Sequence, residues 1–325
     1  MTRPHFRRAH AALAAASLWA LAACERATPV PAVDSAVTPP PVVRVDSAPP
    51  APVAGVLTWD EASAGPALFV PGDTARPSEA SAVLPDSTLL TADSTIAAAT
   101  ATLDGVTVEL FAPRGKVGTA RIAANARDAF ADECSVGPTV RLTNAPPPAS
   151  WKVAFATGRA WAIAVDSIEG LAGADSAART AEVARLASLA PRTNNREFAG
   201  LPFSVRQARR FTRSGVDVVV AEVVRKIAQE ANPREQHVLL VGERPAGSTA
   251  RYELAYHETS TGDEANVETR DLLAAVLLGP ERRPTLVLNR EFGDGVAYSL
   301  LERTSSGRWR VRWTSGTVGC AAADG

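Results

Sequence analysis

Apolar side chains at every second position, many of them β-branched, constrain this 325-residue chain more than any other feature of its sequence. Successive side chains of a strand point to opposite faces, so this alternation predicts strands with one buried face. Trp151, Val153 and Phe155 alternate with Lys152, Ala154 and Ala156, and the pattern resumes at Trp161, Ile163 and Val165 after Thr157-Gly158, which predicts a hairpin. Residues 203–211 lead through Arg213-Ser214-Gly215 into 216–227, a run too rich in valine to favour helix. Asn232-Pro233 turns the chain into 237–241 and completes a predicted meander. Residues 286–288, 296–300 and 309–313, separated by Phe292-Gly293-Asp294-Gly295 and Ser305-Ser306-Gly307, predict three more antiparallel strands. Their inner face would carry Tyr298, Leu300, Trp309, Val311 and Trp313. A further hairpin is predicted at 106–111 and 117–122, around Pro113-Arg114-Gly115.

One helix interrupts this pattern at about 175–190: Asp175 or Ser176 caps it, Val183, Leu186, Ala187 and Ala190 follow helical spacing, and Pro191 stops it. Residues 267–278 fit a helix or a strand. The expected fold is mainly β, built of antiparallel meanders with one or two helices. A sandwich, a barrel and a small propeller all accommodate such meanders, although the sequence shows no exact internal repeat of the kind that favours a propeller.

The N-terminus has a different character. Arg3, Arg7 and Arg8 precede the apolar run 11–20, which only Ser17 interrupts, and the run is shorter than the roughly 20 apolar residues that span a bilayer. Leu21-Ala22-Ala23-Cys24 follows, and this segment resembles the lipobox of bacterial lipoprotein precursors. The resemblance covers the N-terminus alone. It implies a diacylglyceryl thioether on Cys24, cleavage before that residue and acylation of the new amino terminus. One acyl chain holds a protein only marginally and two or more hold it firmly. Glu25, where an aspartate is absent, resembles the pattern sent on to the outer membrane in a bacterium that has one. The organisation read from this is a signal peptide at 1–23, a tether at 24–56 and a strand-rich domain at 57–325, with a less regular part at 57–105. Pro29, Pro31, Pro39-Pro40-Pro41, Pro49-Pro50 and Pro52 make the tether an extended spacer, since proline fixes φ and removes amide donors.

Little in the domain points to chemistry. Among the three cysteines, Cys134 and Cys320 remain once Cys24 carries lipid, and outside the cytoplasm they are expected to pair as a disulfide. In the chain-entropy model a loop of that length gives about 5 kcal/mol of stabilisation. No nucleophile elbow, phosphate loop or C-x-x-C is present, so no catalytic residue, metal or cofactor is assigned. His237 and His257 read as strand residues, and Asp294 as a turn residue. A net charge of −1 argues against a nucleic-acid partner, whose binding requires a clustered positive surface. Arg308, Arg310 and Arg312 alternate with Trp309 and Val311 and form a candidate anion-binding face, equally readable as a solvated sheet surface.

Two functions fit: a membrane-anchored, non-catalytic module with an envelope protein or polysaccharide as partner, or a hydrolase of envelope polymers. The second would use two carboxylates drawn from Glu133, Glu222, Glu230, Glu253, Glu258 and Asp294. Cys24→Ser is expected to abolish metabolic labelling with radioactive palmitate and to leave an unprocessed or unanchored protein. A variant that still fractionates as mature membrane protein sinks the lipobox reading.

Overall fold

The computed structural model describes residues 68–71, 78–83, 103–123, 139–168, 173–191, 195–228, 233–293, 295–316 and 318–319. The chain divides into Met1–Pro49 and Pro50–Gly325, and every described residue belongs to the second unit. Cys24, Cys134 and Cys320, and with them the lipid site and the expected disulfide, lie outside the described residues, as do Glu133, Glu230 and Asp294.

Six short strands come first: β1 (Leu68–Pro71), β2 (Glu79–Val83), β3 (Thr107–Ala112), β4 (Gly115–Ala123), β5 (Thr139–Thr143) and β6 (Val153–Ala156). They close into a barrel in the order β1-β2-β5-β4-β3-β6. Its interior is filled by side chains including Phe69, Leu110, Ile122, Leu142 and Trp151, as the small bore of a short barrel requires. The predicted hairpin around Pro113-Arg114 is β3 and β4.

The chain then builds two open antiparallel sheets. β7 (Ala160–Ile163) and β8 (Asp166–Ser167) are followed by α1 (Gly173–Leu189), β9 (Ser204–Arg213), β10 (Val216–Ile227), β11 (Arg234–Pro245) and β12 (Glu253–Asp263). After these come β13 (Thr269–Leu278), β14 (Arg283–Phe292), β15 (Gly295–Arg303), β16 (Trp309–Thr314) and β17 (Val318–Gly319). One sheet has the order β12-β11-β10-β9-β8, and the other β16-β15-β14-β13-β7 with β17 paired to β15. Both predicted meanders are therefore present, and the ambiguous stretch at 267–278 is the strand β13.

The layers follow from which residues share a face. Val218, Val220, Leu239 and Val241 of the first sheet pack against Leu272, Leu277, Leu286, Leu288 and Leu301 of the second, making a sandwich. The outer face of the first sheet, with Val219, Ala221, Val238 and Leu240, is covered by Val183, Leu186 and Ala187 of α1. The helix begins two residues before the expected cap and places Asp175 in its first turn, where a carboxylate complements the helix dipole. The outer face of the second sheet, with Ala274, Val276, Val287 and Leu300, packs on Phe111, Val153 and Phe155 of the barrel. Sandwich and barrel thus coexist, and of the three architectures that fit the strand pattern no propeller is found among the described residues.

Two local readings need correction. The segment 151–165 is not a hairpin: β6 pairs with β1 and β3 inside the barrel, whereas β7 pairs with β13 in the second sheet. The turn between them carries the chain from one layer to the next, and alternation alone cannot reveal which partner a strand takes. The single inner face read for the last strands is also split. A register shift between Leu300 and Leu301 leaves Arg312 of β16 without a strand partner, so Trp309 enters the sandwich core while Trp313 faces the barrel. A one-residue bulge exchanges the faces of everything beyond it.

The seat of α1 depends on Gly242, where an added Cβ would come within 2.7 Å of Leu186 Cδ1 and 3.0 Å of Val219 Cγ1. Leu186, fully buried, fills the space that the missing side chain leaves. Leu186→Ala is expected to cost about 2–5 kcal/mol, measured by urea denaturation. A loss well under 1 kcal/mol would show that the helix contributes little to the sheet it covers.

Candidate functional site

The inward-facing residues of the sandwich change from apolar to ionic at the end where β12 passes into β13. On β10 the inward positions run Val218, Val220, Glu222, and on β11 they run Val241, Leu239, His237, Glu235. The opposite sheet changes in the same place, from Leu272 to Arg270 and from Leu288 to Arg290. Period-two geometry puts each of these charged groups between the sheets.

Glu222 is 0% exposed, a position that a carboxylate tolerates only when its oxygens are fully bonded. It accepts the backbone N–H of Arg270 at 2.8 Å and a guanidinium N–H of Arg206, and its Oε1 lies 3.2 Å from His237 Nδ1. Arg206 reaches it because β9 bulges there: Gln207 pairs with Glu222 and Val205 with Val223, which leaves Arg206 unpaired. The same guanidinium grips Asp271 of the other sheet at 2.7 and 3.2 Å.

The other nitrogen of His237, Nε2, lies 2.6 Å from Glu235 Oε2, and Glu235 is in turn paired with Lys226. Burial alone pulls the imidazole down, but the hydrogen bonds to Glu222 and Glu235 outweigh it and hold His237 above its ordinary value. Burial likewise pushes Glu235 up, and its bonds to Lys226 and His237 bring it below the usual carboxylate range. Across the layer Arg270 contacts Glu258 at 3.0 Å, Glu268 at 2.9 Å and the Ser260 hydroxyl at 3.3 Å. Arg290 bridges the same two carboxylates, and Tyr256 donates its hydroxyl to Glu258. Burial, reinforced by that carboxylate, drives the Tyr256 phenol upward.

This arrangement holds the two sheets together and leaves little for a substrate. Both ring nitrogens of His237 face carboxylates, so neither is free to take a proton from a ligand. Those carboxylates lie on opposite edges of the ring and do not converge on one point. Among the described residues no group of three or more His, Cys, Asp or Glu is placed to hold a metal. Of the carboxylates weighed for hydrolysis, Glu222 is bonded on both oxygens, Glu258 is held by Tyr256 and the ion pairs to Arg270 and Arg290, and Glu253 is exposed at the start of β12, at the other end of the strand from Ser260.

The arginine stripe of β16 is also engaged. Arg312 meets Glu302 at 3.0 Å and Arg310 meets it at 3.6 Å, while Arg283 from β14 approaches the same carboxylate at 3.2 Å. Glu302 is 2% exposed, so three guanidinium groups converge on one buried anion. Arg308 stands exposed at the start of the strand. Nearby, Glu243 ties the sheets a second time, accepting Arg303 at 2.7 and 2.9 Å and the indole N–H of Trp309 at 2.5 Å.

Sequence reasoning missed the ionic layer, although a signal for it exists. A glutamate at an inward position of a valine strand, and a Glu235-x-His237 pair on one face, are anomalies for strands buried on both sides. No helix among the described residues is long and apolar enough to cross a membrane. Comparison with known proteins finds no family model, no curated relative and no solved structure that matches the chain.

The sign of the pH effect follows from the raised value of His237. A group bound more tightly to its proton in the folded state stabilises fully below its unfolded value near 6.5, and that contribution is lost as pH rises through the folded value. Urea denaturation at stepped pH is expected to show stability falling on the alkaline side, with the slope flattened in His237→Gln. Glu222→Ala is expected to cost about 3–5 kcal/mol. An alkaline slope identical in His237→Gln and the parent would remove His237 from this role.

Proposed function

We propose that the chain is a lipid-tethered envelope module that binds a partner without performing chemistry on it. The observation that carries this reading is the closed Glu222-His237-Glu235 array, whose acid and base groups are bonded to one another. A general base keeps a free lone pair within reach of its substrate, and a hydrolase needs carboxylates that face a cleft. These groups face the inside of the sandwich instead and act as mortar between its sheets.

The lipobox-like Leu21-Ala22-Ala23-Cys24 and the proline-rich stretch after it supply the rest of the reading. Lipid on Cys24 would hold the chain at a membrane, the outer one where the organism has two. An extended spacer rises about 3.1 Å per residue, enough for some thirty residues to lift a domain clear of the headgroups. A domain so placed meets envelope proteins and wall or surface polymers.

Crosslinking in intact cells followed by mass spectrometry is the test. The expected result is one abundant envelope protein recovered with the tethered chain and lost on Cys24→Ser. Hydrolysis of an envelope polymer by the purified chain, abolished by Glu258→Gln in a protein that remains folded, would overturn the non-catalytic reading.

A further inference from the structure

The end of the sandwich opposite the ionic layer is built differently. Three hairpin turns meet there: Arg213-Ser214-Gly215 between β9 and β10, the 279–282 turn between β13 and β14, and the turn after Arg303 between β15 and β16. They surround a recess of about 240 Å³ with a floor that includes Phe211, Val216, Val218 and Pro284. Phe211 and Val218 belong to the buried core between the sheets and back the recess, while the half-buried Val216 and Pro284 are the apolar surface it presents.

Its charged lining is four arginines, Arg213, Arg282, Arg283 and Arg303, against one glutamate, Glu281. Two of the arginines are neutralised and pinned: Arg303 by Glu243, and Arg283 by Glu281 and Glu302. The other two are not. Arg213 and Arg282 are exposed, and neither has a carboxylate partner among the described residues. The Arg282 guanidinium is laid over the Trp161 ring at 4.3 Å, which fixes its direction and leaves its edge N–H donors open. Of the three non-glycine residues with positive φ among the described residues, Ser214 at 50° and Arg282 at 49° both line this recess. A bulky residue in the left-handed region is strained, and such strain persists where surrounding structure enforces it.

We propose that this recess binds an anionic amphiphile, a phosphate or carboxylate head held by Arg213 and Arg282 with a short apolar stem on Val216 and Pro284. The proposal rests on reading the chain as a binding module and names the chemistry of its ligand. The recess is smaller than the roughly 300–1,000 Å³ of pockets that enclose a drug-sized ligand, so it admits a head group and the first part of a chain and not a whole lipid.

The test uses the full chain carrying Cys24→Ser, titrated calorimetrically with octyl phosphate, octanol, inorganic phosphate and phosphatidylglycerol vesicles in turn. Octyl phosphate is expected to bind about tenfold or more tightly than octanol or inorganic phosphate, since each lacks one half of the recognition. Arg213→Ala with Arg282→Gly is expected to weaken octyl phosphate by a further tenfold or more. Glycine relieves the positive φ at 282, so an unchanged or raised melting temperature separates lost binding from lost folding. Arg308→Ala, outside the recess, is expected to leave binding unchanged.

Equal affinity for inorganic phosphate and octyl phosphate would overturn the apolar half of the proposal. Binding to vesicles without binding to monomeric octyl phosphate would reduce it to general surface attraction, and so would loss of binding in Arg308→Ala alone. An envelope partner recovered by crosslinking, together with no octyl phosphate binding, would overturn this ligand and leave the binding-module reading standing.

Discussion

The sandwich depends on a carboxylate that cannot be solvated. Glu222 is buried between two sheets, and its partners come from both: Arg206 and His237 from its own sheet, and the Arg270 backbone from the other. An ionised group in that position is costly unless every oxygen is bonded. The sheets therefore have one favourable alignment at this end, the one that brings Arg270 against Glu222 and Asp271 against Arg206. Apolar contact between Val220, Leu239, Leu272 and Leu288 supplies most of the attraction but is non-directional. The ionic layer sets the register, and Glu243 with Arg303 repeats the device at the far end.

Bulges decide where the charges go. Without the shift in β9, Arg206 would follow the ordinary alternation and its guanidinium would not share Glu222 and Asp271. Without the shift in β16, Trp309 and Trp313 would lie on one face, and the strand could not serve the sandwich core and the barrel at once. In β9 one extra residue re-aims an arginine toward a buried glutamate, and in β16 one extra residue re-aims a tryptophan. In β9 the structural cost of a broken ladder is offset by a charge that would otherwise be unpaired.

The two ends of the sandwich consequently differ in what they present. At one end arginines, lysine and histidine meet as many carboxylates and the interior is closed. At the other, three turns leave a recess where Arg213 and Arg282 have no acid to meet among the described residues, above the half-buried Val216 and Pro284. Arg213 and Arg282 on that rim are the groups the proposed anionic ligand would meet.

How much of this was legible beforehand depended on whether the signal is local. Turn residues such as Ser214-Gly215, the valine run of β10, the spacing of Val183, Leu186 and Ala187, and the stop at Pro191 act within a few residues of themselves. The helix, both meanders and the hairpin of β3 and β4 could accordingly be read from the chain alone, whereas β1, β2, β5 and β12, with weaker alternation, could not. Pairing partners could not: β6 and β7 alternate identically, yet one closes a barrel and the other edges a sheet, because a half-buried strand shows which face is apolar and not what covers it. The Glu222 layer and the arginine recess join residues far apart in sequence, and their meaning rests on distances of a few ångströms. The sequence by itself determined the elements, through backbone propensity and periodicity. Only the tertiary structure decided which charges are satisfied, because desolvation and pairing exist only once two sheets have closed over them.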